Sequence, residues 1–446
     1  MNTLVGLWFA LLAADRLDLM AGEGPFVLTP FLVLTPVLAV AALRHRLLHR
    51  QPVTLDGRTR LLLLLLLTLL SLVTVSVFAS MEVARSAMRA MQLVAVAFGA
   101  LAVRVLVPGD TLADGLVRGA RWGVRVYAVM VLLQLLALPG ILPEALPTES
   151  FPMLQLMPSL HGGLVPRLSG PVVDSNRSGL LLVTYLAVLL WHDWRRHVGT
   201  MAAACVFLLL TLSRSSLLAA AGAAAWQLIQ RQRKQQREQQ RKRQIGAAVV
   251  SGAAHRSTRG LLAVGLAASA LVASLTAPLL LSPRVRAESA LVLEPLAERF
   301  SIEQGSGEDH LRLLARGVAT GARSIPTSLQ GIGYGSGYLV LQDFFPGDKY
   351  GNFHSVYVGI FAESGVLALL VTVLLLALPL ALATPQAPLA VAVAVFGVFY
   401  AALAEPTFWL AVVLAWLPVA LAEASRARPK ATSSALAMDS TAPSAS

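Results

Sequence analysis

The chain alternates between long, unbroken apolar runs and short polar interruptions, and this rhythm predicts its elements. A helix needs roughly 20 apolar residues to cross the hydrocarbon of a bilayer. Twelve stretches approach that length, at 4–20, 26–43, 61–79, 87–103, 122–141, 178–194, 198–212, 214–229, 260–281, 355–382, 389–405 and 408–423. The seventh and eighth are short and meet at Ser213-Arg214, and the last two are split only by Glu405-Pro406. Ten spans is therefore the alternative count. The pattern predicts an all-α, polytopic membrane protein of about 12 transmembrane helices.

Polar segments divide these helices into blocks. Residues 1–141 form an N-terminal group, 142–177 a first outer loop, and 178–281 a central group interrupted by a basic inner loop at 230–259. A large outer loop follows at 282–353, then C-terminal helices at 354–425 and a tail at 426–446 whose Ala, Ser and Pro content predicts disorder. The first outer loop, with PRLSGPVVDSNRSG, reads as ordered irregular backbone. In the second, GEDHLRLLARGVATGAR places Leu311, Leu314, Ala315 and Val318 at helical spacing with Arg312, Arg316 and Arg323 on other faces. That spacing predicts an amphipathic helix near the membrane surface.

Composition agrees with a lipid solvent. The 446 residues are 56% hydrophobic and 13% charged, too apolar to hide in one water-soluble core. The net charge of +12 is the excess expected of cytoplasmic loops facing anionic lipid, and it does not call for nucleic acid. With the N-terminus cytoplasmic, most of the 36 lysines and arginines fall in inner loops, including the run RQRKQQREQQRKR at 231–243, and both termini lie inside. The single cysteine, Cys205, has no intrachain partner and excludes a disulfide framework. The first run ends in Asp15, Arg16 and Asp18 and lacks a small-residue cleavage site, which argues against a cleavable signal peptide.

The exceptions to this charge bias carry the chemistry. Arg85, Arg89, Arg167, Arg177 and Arg214 lie at or beyond the outer ends of helices in short connections, where topology gives no reason for them. Arginine near hydrocarbon normally faces a polar cavity or a partner, or else snorkels to the headgroups. Both readings of Arg214 stand at this point. His354 occupies the threshold of the apolar run that begins at 355, where it is either a reacting group or an interfacial cap. The upstream GIGYGSG is not a dinucleotide fingerprint, because no strand–helix unit surrounds it, and no GxxxxGK[ST] occurs. His310 and His354 lack acidic partners at a ligand spacing, so neither a metal nor a cofactor is expected. Outward arginines around a histidine at the membrane surface suit a lipid diphosphate. Guanidinium forks bind phosphate oxygens and can stabilise a departing diphosphate, while the imidazole takes a proton from an acceptor hydroxyl.

The ordered set of motifs resembles the O-antigen ligase and O-antigen polymerase family. It comprises RLSGPVVDSN, TLSRSS, HLRLLARGV, PTSLQGIGYGSG and GNFHSVYVGIFAESGVLALL, spanning Arg167 to Leu370. The resemblance implies a GT-C-like helical fold in the bacterial inner membrane, with the large loop and active site periplasmic. It implies a metal-independent glycosyltransferase that moves a glycan from undecaprenyl diphosphate to the lipid A core, in lipopolysaccharide biosynthesis. A polymerase or a protein O-oligosaccharyltransferase of the same family is the alternative, and a transporter or flippase is the alternative of another class. By resemblance, His354 activates the acceptor, Arg214 and Arg312 clamp the diphosphate, and Arg167, Asn176, Tyr357 and Glu363 are further substrate-binding candidates.

Overall fold

The computed structural model describes residues 1–14, 19, 26–137, 155–158, 164–172, 174–191, 194–245, 306–347, 351–382, 384, 386–403 and 405–417. Among the described residues the regular elements are helices and one two-stranded hairpin. In order they form α1 (Asn2–Ala10), α2 (Pro30–Leu48), α3 (Gly57–Phe78), α4 (Val83–Leu106) and α5 (Gly109–Ala137). The hairpin β1 (Gln155–Pro158) and β2 (Leu164–Arg167) pairs antiparallel, with Gln155 opposite Arg167. Next come α6 (Ser175–Trp191), α7 (Val198–Leu210) and α8 (Arg214–Ile245). The last group is α9 (Ser306–Gly321), α10 (Ile325–Gln330), α11 (Val356–Ala381), α12 (Ala387–Phe399) and α13 (Pro406–Ala415).

Five helices are long and apolar enough to cross a membrane: Pro30–Leu48, Gly57–Phe78, Val83–Leu106, Gly109–Leu136 and Val356–Ala381. Asn2–Ala14, Ser175–Leu190, Val198–Leu210, Ala387–Phe399 and Pro406–Ala415 are shorter apolar helices. The protein is membrane-embedded, and its exposed Val37, Val40, Leu64 and Leu67 are the lipid-facing side of an apolar bundle. The predicted span at 260–281, the start of the large loop and the tail at 426–446 lie outside the described residues. Each of the other predicted runs overlaps a helix among the described residues, and five of those helices are long and apolar enough to span. The run at 214–229 continues without interruption through the basic segment to Ile245, because Gln, Arg and Lys are good helix formers.

The core is assembled from close helix contacts. α1 runs against α5, where Gly115 and Gly119 let Val5 and Phe9 approach until no room for a side chain remains. α8 lies along α12, and α3 packs on α11 and α4. Two buried indoles are satisfied across helices: Trp8 Nε1 donates to Thr35 Oγ1 at 2.8 Å, and Trp416 Nε1 to the Leu375 carbonyl at 2.9 Å.

The described part of the long loop at 282–353 folds onto the start of α11. Leu313, Leu341, Phe353 and Ala362 form a small separate core there. α9 is amphipathic as expected, but its packed side differs from the one predicted. Leu313, Gly317 and Gly321 are buried, while Leu311 and Val318 are exposed. The glycines decide this, because a Cβ at Gly317 would meet Phe353 and Val358, and one at Gly321 would meet Phe361. Small residues, rather than leucines, mark the face that comes close.

Candidate functional site

His354 precedes α11 with its backbone in the left-handed region, φ 52°. A non-glycine residue rarely adopts this conformation, and it persists only where the surroundings hold it. Three contacts do so. Phe353 is buried in the small loop core, the His354 N–H donates to Asn352 Oδ1 at 3.0 Å, and Ser355 caps α11. The Ser355 hydroxyl also donates to the Gly397 carbonyl at 3.1 Å, tying the helix start to α12. The chain therefore turns sharply at His354 and leaves its imidazole half-buried against His310 of α9, ring centroids 4.2 Å apart and nearly parallel.

Burial, and then the neighbouring His310, push His354 down to about 4, with Asp174 opposing. His310 is also lowered, first by burial and then by the charge of Arg214, with Asp309 opposing. Both imidazoles are thus neutral at neutral pH. A neutral imidazole has a free lone pair, which is the requirement for accepting a proton.

Several helices begin around this pair. Asp174 caps α6, its Oδ1 accepting the N–H groups of Asn176 at 2.6 Å and Arg177 at 3.2 Å. Ser213, immediately before α8, donates from Oγ to Asn176 Oδ1 at 2.9 Å, and Ser216 Oγ donates to the Asn176 carbonyl at 3.3 Å. Asn176 thereby couples the starts of α6 and α8. Glu405, at the cap position of α13, forms an ion pair with Arg177 at 2.7 Å, bringing a third helix start to the same place. Arg89 of α4 is close enough to feel Arg85, Arg177 and Glu405. Helix N-termini carry partial positive charge, and arginines add to it. The arrangement can hold an anion next to a neutral imidazole.

The glycine segment docks onto a break in α11. At Gly365 the backbone leaves the helix, φ 84° and ψ 176°, freeing carbonyls one turn earlier. Those of Ala362 and Glu363 accept the N–H groups of Ile332 and Gly333, both at 3.0 Å. A Cβ on Gly331 would overlap the Glu363 carbonyl, and one on Gly365 would overlap that of Leu329. The Glu363 carboxylate accepts from Gly335 N at 2.9 Å and Gly337 N at 3.0 Å. Ser336 joins Ser80 and Ser86 at the α3–α4 turn, at 2.7 and 3.1 Å. Arg85 lies 4.2 Å from the centre of the Tyr338 ring. The segment is a clasp between α11 and the α3–α4 turn.

The sequence-derived candidates separate on this frame. His354 and Arg214 share one neighbourhood through His310, and Asn176 lies at its edge. Arg312 does not join them: it is exposed on α9 and pairs with Glu308 at 2.6 Å, one helical turn away, while His310 occupies the inward position. Residues two positions apart on an α-helix point to opposite sides, so the face that presents His310 turns Arg312 outward. Tyr357 donates its hydroxyl to the Ala394 carbonyl at 2.9 Å, and Glu363 is engaged by the glycine segment, so both hold neighbouring backbone. Arg167 ends strand β2. Residues not singled out in the sequence as part of the site, His310, Asp174 and Glu405, belong to it. The acid immediately before Pro406 was a legible helix-start signal for Glu405, whereas nothing in the local pattern marks His310.

Comparison with protein-family models and with curated proteins finds no match to this chain.

Proposed function

We propose that the protein is a glycosyltransferase of the bacterial inner membrane, transferring a glycan from undecaprenyl diphosphate to an acceptor hydroxyl on the periplasmic face. The observation that carries this reading is His354: a neutral imidazole, held in a strained left-handed turn, beside converging helix starts and the charge of Arg214. The donor diphosphate lies against Arg214 and the starts of α6 and α8, and its growing negative charge is stabilised there as the sugar–oxygen bond breaks. His354 takes the acceptor proton as the new glycosidic bond forms. No cofactor is required, because the diphosphate is already a leaving group.

The reading includes about twelve crossings in a GT-C-like arrangement, with N- and C-termini cytoplasmic. Its first choice of acceptor is the lipid A core, as in an O-antigen ligase. A polymerase of the same family shares the donor chemistry and differs only in the acceptor. The test is transfer by the full chain in proteoliposomes supplied with an undecaprenyl-diphosphate-linked glycan and lipid A core. His354→Ala is expected to reduce transfer by roughly 10²–10⁴-fold, the usual contribution of a positioned base, while the protein remains folded. Transfer at the wild-type rate in that variant would overturn the proposal.

A further inference from the structure

The end of the bundle away from His354 carries a second concentration of arginine. Asp56 caps α3, its Oδ1 accepting the Thr59 N–H at 2.8 Å. Arg104, near the end of α4 and only 8% exposed, donates from Nη2 to Thr59 Oγ1 at 3.1 Å and to the Trp416 carbonyl at 2.9 Å. Its other terminal nitrogen, Nη1, is buried without a hydrogen-bond partner, and the same is true of Nη1 of Arg58, the residue before Thr59. Asp56, Arg58 and Arg104 act on one another electrostatically, so one carboxylate faces two guanidiniums. Two neighbouring arginines, Arg60 and Arg46, are occupied. Arg60 is exposed and donates from Nε to the Leu55 carbonyl at 3.0 Å, and Arg46 closes the end of α4 through the Leu106 and Val105 carbonyls at 2.7 and 3.1 Å.

A buried guanidinium N–H without an acceptor is costly. Here two such groups lie at the first turn of a helix, where backbone N–H groups also favour an anion. α3 has 22 residues and spans about 33 Å, close to the thickness of the hydrocarbon. At its far end Ser80 meets Ser336 of the glycine segment, so Arg58 and Arg104 lie at the opposite membrane surface from His354. Leu64 and Leu67 are exposed farther along α3, an apolar path for an acyl chain below the charged turn.

We propose that Arg58, Arg104 and the first turn of α3 bind the phosphate of an anionic phospholipid in the leaflet opposite His354. The guanidinium fork matches phosphate oxygens, and the uncompensated positive charge disfavours a headgroup that carries its own ammonium. This site does not depend on the transferase reading.

The test uses the full chain in neutral detergent, titrated with phosphatidylglycerol, phosphatidylcholine or inorganic phosphate, with the unfolding temperature and the lipids retained in native mass spectra as readouts. Phosphatidylglycerol is expected to raise the unfolding temperature and to remain bound at one tight site. Arg58→Gln should weaken its apparent affinity at least about tenfold, as expected for the loss of a charge-assisted phosphate contact, whereas Arg60→Gln should leave it unchanged. Should Arg58→Gln not fold, Arg58→Lys, which keeps the charge and loses the fork, carries the test with an intermediate weakening. Equal stabilisation by inorganic phosphate would overturn a lipid as the ligand. A response equal for phosphatidylcholine, or unaltered in both Arg58 variants, would overturn the site.

Discussion

At the scale of single residues, the His354–His310 stack makes the pH dependence of activity specific. The folded value of His354, about 4, lies below the ordinary histidine value of 6.5, so the neutral form persists well into the acid range. The acid limb of kcat/KM, measured as donor consumption from pH 4 to 8, is therefore expected well below pH 6.5. His310→Ala removes the second cause of the depression and opens the site to water, so that limb should move upward. The same shift bears on stability. Above pH 6.5 both folded and unfolded chains hold His354 neutral; as pH falls toward 4 the unfolded chain takes up the proton first and stability declines. Arg214→Ala should reduce donor use and Arg214→Lys should restore it poorly, because a point charge lacks the fork. Arg312→Ala should leave donor use near wild type, since its exposed pair with Glu308 contributes at most about 1 kcal/mol to stability. His354 and Arg214 were legible in the sequence because each breaks an otherwise apolar rhythm. The inward turn of His310 in place of Arg312 was not, because it depends on which face of α9 the glycines bring close.

Among the elements, hydropathy located most helices but could not show the discontinuity in α11. The run from Val356 to Ala381 is apolar on both sides of Gly365, so a window average passes over the break. Its cause lies in contacts distant in sequence: Ile332 and Gly333 take the freed carbonyls, and Glu363 gathers the N–H groups of Gly335 and Gly337. Gly365→Ala forces an L side chain to φ 84° and against the Leu329 carbonyl. The backbone conformation alone is expected to cost about 1–3 kcal/mol, and displacement of α10 adds to it. Glu363→Gln turns one buried acceptor into a donor facing a backbone N–H, an expected loss of about 1–3 kcal/mol. Thermal unfolding in detergent measures both. If the clasp positions His354, activity in the two variants should fall further than the folded fraction does.

For the whole molecule, the distribution of arginine is the feature that sequence and structure read in common. Apolar helices were legible because crossing a membrane requires a continuous apolar run, a property of local sequence. The convergence of α6, α8, α11 and α13 at one end was not, because it is made by pairs such as Arg177–Glu405 and Ser213–Asn176 that no spacing rule joins. Arg58 and Arg104 occupy one end of the α3–α4 pair and Arg89 the other, so the bundle has two charged ends, only one of which follows the inward bias of basic loops. Which end faces out decides whether the His354 site can meet a donor presented in the periplasm. Cys205 is the sole cysteine, so a Cys205→Ala background carries no other thiol. Arg323 lies exposed between α9 and α10 on the His354 side, and Gln51 lies exposed between α2 and α3. In spheroplasts, Arg323→Cys is expected to react with a membrane-impermeant maleimide and Gln51→Cys to react only after permeabilisation. The reverse pattern would place His354 in the cytoplasm, where a periplasmic acceptor cannot reach it, and would remove the basis for transfer to the lipid A core.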